Sequence, residues 1–145
     1  MQHVRLIDRV ENYWKSLAAD RPMPDARQIN PSVIHDIWPK CLLLSLVNKV
    51  GQVQLFQYEH MGSDLCKAYG QDLTNQYVNV HMHHFPGWQI LQSAEGIIAE
   101  PVPKYLSGQF TNDTAKTIKY RSCMMPFSTR GELSHLLVGL SWREF

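Results

Sequence analysis

The chain has 145 residues, of which 44% are hydrophobic and 19% charged, enough apolar material for one continuous core and too much for a disordered chain. Fourteen basic residues stand against thirteen acidic ones, for a net charge of +1, and no basic stripe marks the chain as a nucleic-acid binder. No run of about 18 apolar residues occurs, and the N-terminus MQHVRLIDRVENYW carries acids and lacks an apolar segment, so neither membrane insertion nor secretion is expected and the location is read as cytoplasmic.

From about His3 to Ala19 the pattern predicts an amphipathic helix. Ile7, Val10, Trp14 and Leu17 fall on one face, with Arg5, Asp8, Glu11 and Lys15 on the other. Arg21-Pro22-Met23-Pro24 cannot continue it. The apolar stripe must be buried, because a helix of this length is marginal alone. It packs either on this chain's own sheet or against the same helix of a second copy, which makes Ile7, Val10, Trp14 and Leu17 candidates for a homodimer interface. Asn30-Pro31 combines a favoured cap with a favoured first helical residue and predicts a short helix from Pro31 to about Ile37, ending before Pro39.

Cys41 to Val47 has six apolar members in seven, which reads as a strand covered on both faces. Asn48-Lys49-Val50-Gly51 is a turn. Val53 to Met61 then alternates, with Phe56, Tyr58 and His60 on one face and Gln57 and Glu59 on the other, so the two strands form a hairpin. Gly62 breaks the strand, Ser63 caps a short helix through about Tyr69, and Gly70 stops it. Asp72 to Asn79 is a loop or short helix. After His81, His83 and His84, a helix opens near Pro86 and runs to about Ala99, with Trp88, Leu91, Ala94 and Ile98 at helical spacing. Pro101 and Pro103 close it. Strands follow at Lys104 to Phe110, Thr117 to Phe127 and Leu133 to Trp142, separated by turns at Asn112-Asp113-Thr114 and Thr129-Arg130-Gly131-Glu132. In the middle strand Ile118, Tyr120, Ser122 and Met124 share a face opposite Lys119 and Arg121. The class is α+β, a single domain over residues 1–145.

Several short motifs follow one another along the chain. Tyr13-Trp14, Arg21-Pro22-Met23-Pro24, Ile29-Asn30-Pro31, Ile34 and Pro39 precede the first strand. Phe56-Gln57-Tyr58-Glu59-His60-Met61-Gly62, Gly70-Gln71-Asp72-Leu73-Thr74, Met125-Pro126-Phe127, Gly131 and Leu136-Leu137-Val138-Gly139 follow. As a set, from about Tyr13 to Gly139, they resemble a bacterial PAS-domain family found mainly in alphaproteobacteria. The resemblance implies a five-stranded antiparallel sheet in order 2-1-5-4-3, with helices on one face. The core then spans about residues 41–142, flanked by the N-terminal helix at about 3–19. It also implies a sensor or adaptor of signalling that binds a small apolar ligand, a signalling protein partner, or both.

The residues themselves leave several chemistries open. Phe56, Tyr58, Tyr69, Trp88, Tyr120, Met124 and Trp142 have the composition of an apolar ligand pocket and equally of a plain core. His60 is either a satisfied core histidine or a ligand contact. His81, His83 and His84 read as surface, capping or pocket-lining groups. The alternative makes them the metal ligands of a small metal-dependent enzyme, with His60 as a further donor, although no acid or cysteine follows at ligand spacing. Cys41, Cys66 and Cys123 are an odd set without a C-x-x-C pair, which reads as buried free thiols or, alternatively, redox-sensing ones. No nucleophile elbow, phosphate loop or dinucleotide fingerprint occurs, so no catalysis and no cofactor are expected. A third reading is a dimerising scaffold whose core is full.

Overall fold

In the computed structural model residues 5–50, 53–78, 96–97 and 99–145 are described. Helix α1 spans Leu6–Ala18, strand β1 Cys41–Val50, β2 Val53–Met61, helix α2 Ser63–Tyr69, β3 Lys104–Thr111, β4 Thr117–Thr129 and β5 Glu132–Glu144. The strands form one sheet in the order β2-β1-β5-β4-β3, with antiparallel neighbours throughout. The fold class and the strand order are those expected.

Alternation along the strands sends side chains to two separate cores. Leu42 and Leu44 of β1, Ile118, Tyr120 and Met124 of β4, and Leu136, Val138 and Leu140 of β5 face inward, under Leu65 of α2, Leu73, Val78 and Ile97. Cys41, Cys123, Met125, Phe127 and Leu137 face outward and are covered by Val10, Tyr13, Trp14 and Ala18 of α1, with Ile34 and Ile37. β1 is therefore apolar on both faces because each face has its own layer.

The stripe of α1 is used within the chain. Val10 is fully buried and Trp14 nearly so, while Ile7 and Leu17 stay half-buried at the margin. The close approach depends on Gly139. A Cβ there would lie 2.8 Å from Val10 Cγ2 and 3.4 Å from Cys123 Sγ. The N-terminal segment also closes a sheet edge. β3 reaches only to the pairing of Lys104 with Met124, so β4 beyond that point lacks a β3 neighbour. There the Trp14 indole donates to the Pro126 carbonyl at 2.7 Å, and the Ser128 amide donates to the Pro24 carbonyl at 2.9 Å. Backbone groups that would be left open on an edge are thereby satisfied.

Three expectations are corrected. Pro31 to Ile37 is a run of turns followed by a short 3-10 helix at Trp38–Lys40, with Val33 N–H bonded to Asn30 O and Ile37 N–H to Ile34 O. The segment is too short to offset the cost of helix nucleation. Helix α2 is capped by Gly62, not Ser63, and its cap lacks a side-chain hydrogen bond. Gly62 is required by space, since a Cβ would run into the Pro39 carbonyl. Finally, His60 does not share a face with Phe56 and Tyr58. Leu43 pairs with His60 and Leu44 with Tyr58, so Glu59 is an extra residue, a β-bulge. The bulge breaks the period of two and turns His60 outward with Leu43.

Candidate functional site

The inner face collects most of the predicted pocket residues. Phe56, Tyr58, Tyr120 and Met124 are buried in one cluster, with Tyr69 and Trp142 half-buried against it. Burial raises the pKa of the Tyr58 hydroxyl, with a further upward push from Tyr69 beside it. Burial also raises Tyr69 and takes Tyr120 up to about 12. The phenols are thus neutral hydrogen-bonding groups in an apolar wall. Phe110 joins this wall, with its ring 5.9 Å from Tyr69 and 6.1 Å from Tyr120. Trp142 lies at the mouth of a groove of about 490 Å³ bordered by Leu6, Lys40, Asp64, Lys67, Ala68, Ser141 and Glu144. Trp88, His81, His83 and His84 lie outside the described residues.

His60 belongs to a different place. Its ring stacks on Trp38, with centroids 3.9 Å apart and planes at 13°, and its Nε2 lies 3.2 Å from the Trp38 carbonyl. Partial burial lowers its pKa against opposing contributions from that carbonyl and from Asp72, so the imidazole is neutral near pH 7. The two rings form one wall of a second groove, also about 490 Å³, completed by Pro39, Met61, Ser63, Cys66, Lys67 and Asp72. Asp72 Oδ1 accepts from the Thr74 amide at 2.9 Å and from its hydroxyl at 2.6 Å, which holds the carboxylate below its usual range. Helical periodicity gave no reason to single out Trp38, Asp72 or Thr74. The Asp-x-Thr turn chemistry of the last two was the available signal.

A further bulge, in β5, makes a polar constellation on the outer face. Phe127 pairs with His135 but Ser128 with Leu133, so Ser134 is the extra residue of β5. Ser134 Oγ lies 2.8 Å from His135 Nδ1 and accepts from Thr129 Oγ1 at 2.8 Å, while His135 Nε2 is 3.5 Å from Glu59 Oε2. This bulge and the one at Glu59 thus aim polar groups at each other across β1. Among the described residues no group of three or more His, Cys, Asp or Glu side chains is arranged to hold a metal ion. Cys41 and Cys123 are buried free thiols, and burial takes Cys123 up to about 11. Cys66 is the partly exposed one.

A five-stranded antiparallel sheet in this order, layered by helix on its inner face and flanked by an N-terminal helix, defines a small α+β domain of the PAS-like class. A PAS-domain family model matches residues 1–141, and the chain belongs to that family. Among solved structures, the crystal structure of the PAS domain of an HTR-like protein from Haloarcula marismortui is similar, at a TM-score of 0.47 and 12% identity over 79% of this chain and 96% of that one. No curated protein matches the chain. Among the described residues no helix is long and apolar enough to cross a membrane.

Proposed function

We propose that the chain is a sensor or adaptor module of bacterial signalling that binds a small apolar ligand, a protein partner, or both, and performs no catalysis. The observation that carries the reading is the single wall formed by Phe56, Tyr58, Tyr69, Tyr120, Met124 and Trp142 on the inner face. A wall of aromatic rings with neutral phenols suits an apolar ligand that carries one or two hydrogen-bonding groups. Membership of the PAS family supports a module that passes its signal through a protein contact. A second copy of the chain is one such partner, with Ile7 and Leu17 the part of the α1 stripe still exposed to it.

Mass spectrometry of the purified chain under native and denaturing conditions tests this reading. A small molecule retained natively and released on denaturation, and reduced in Met124→Trp, is the expected result. A bare chain whose melting temperature does not respond to a panel of small apolar compounds would count decisively against the ligand half. The same native spectrum reports the oligomeric state.

A further inference from the structure

We propose that the groove beside His60 binds small planar organic cations rich in N–H donors, of the amidinium and guanidinium class. It lies at the β2 edge of the sheet, where Met61 and Cys66 border the inner cluster, and does not rest on the reading above.

The argument starts from the proton on His60. A carbonyl oxygen can only accept, so the 3.2 Å contact of Nε2 with the Trp38 carbonyl places the ring proton on Nε2. Nδ1 is then an acceptor, and among the described residues no donor reaches it. The ring cannot readily turn away, because it is stacked on Trp38 at 3.9 Å. Half-burial keeps it neutral, so the lone pair stays available near pH 7.

The second acceptor is the carboxylate of Asp72. Thr74 engages Oδ1 through two hydrogen bonds and fixes the side chain, but these bonds leave the negative charge unneutralised. Among the described residues no Lys, Arg or His forms an ion pair with it within 4.0 Å, although Lys67 stands at the rim. The Cys66 thiol lies 3.6 Å from the Met61 carbonyl and within hydrogen-bonding reach of the Asp72 carboxylate, a neutral donor that also leaves the charge in place. The lining therefore presents an imidazole nitrogen and a carboxylate beside a flat aromatic wall. An anion is repelled by Asp72, and a ligand without donors leaves the imidazole nitrogen without a partner and the carboxylate without a counter-charge. A planar cation with several N–H groups satisfies both at once, and carboxylates pair with such groups through two parallel hydrogen bonds. A groove of about 490 Å³ accommodates a ligand of this size.

Benzamidine is a suitable probe, titrated into the full chain at low salt and followed by calorimetry and amide NMR. The expected result is saturable 1:1 binding with shifts at His60, Cys66 and Asp72. Asp72→Asn keeps the turn to Thr74 but removes the charge, and should weaken binding by about tenfold, while His60→Phe keeps the stack but removes the acceptor, and should weaken it several-fold. Lys67→Ala should bind at least as well as the parent. Non-saturable binding, shifts elsewhere, or equal affinity in the Asp72→Asn and His60→Phe chains overturns the proposal. Should either variant fail to fold, the parent decides: benzyl alcohol or benzoate binding as tightly as benzamidine also overturns it.

Discussion

Trp14 and Pro126 are 112 positions apart, and the indole of one donates to the carbonyl of the other at 2.7 Å in the buried layer between α1 and the sheet. The bond satisfies a strand carbonyl where β4 has lost its β3 neighbour. Trp14→Phe keeps much of the apolar contact and removes only the donor, so a buried carbonyl is left unpaired. The expected cost is about 1–3 kcal/mol, read from urea unfolding. A loss within error would mean that the carbonyl finds another donor and that the indole nitrogen is incidental.

Val10 and Gly139 form a second contact between α1 and the sheet. Gly139→Ala places a methyl 2.8 Å from Val10 Cγ2, and the helix must shift or the core must strain. About 1–3 kcal/mol of destabilisation is expected. In a Val10→Ala background the added methyl has room, so the same substitution should cost less. A double-mutant cycle should return a favourable coupling of about 0.5–3 kcal/mol, and strict additivity would show that the helix is not seated on Gly139.

His60 links stability to pH. Its pKa is lowered by burial from the ordinary 6.5, so the unfolded chain takes up a proton at a higher pH than the folded one. Between the lowered value and 6.5 the unfolded state binds more protons, and stability rises with pH. The fold should lose stability as the pH drops below about 6.5, and His60→Gln should remove part of that slope. Melting temperatures of both chains across this range measure it. Parallel curves would assign the slope to other groups.

The three thiols should react unequally. Cys41 and Cys123 are fully buried and Cys66 partly exposed, and burial raises the pKa of all three. Reaction needs both access and a thiolate. Iodoacetamide at mildly alkaline pH should therefore modify Cys66 alone, and slowly, in the folded chain, and all three in denaturant. Peptide mass mapping distinguishes them. Native labelling of Cys123 would indicate that α1 lifts from the sheet.

Much of the architecture is written in local patterns. The stripe of Ile7, Val10, Trp14 and Leu17, the apolar run from Cys41 and the alternation of Ile118, Tyr120 and Met124 each report which side of an element is dry. That is sufficient for the order of elements and for a β1 covered on both faces. The same patterns grouped Phe56, Tyr58, Tyr120 and Met124, because alternation holds wherever strands pair without insertion.

The sequence by itself thus determined the α+β class, the strands and their dry faces, because hydrophobic periodicity is a property of consecutive residues. Tertiary structure decided what depends on a partner. The α1 stripe suits a sheet or a second helix equally, and the contacts of Trp14 with Pro126 and of Val10 above Gly139 chose the sheet. A bulge exists only relative to the strand it faces, so no reading of β2 alone could turn His60 away from Tyr58 and onto Trp38. For the same reason the second groove, which brings Trp38, His60, Cys66 and Asp72 together, shows along the chain only the Asp72–Thr74 turn.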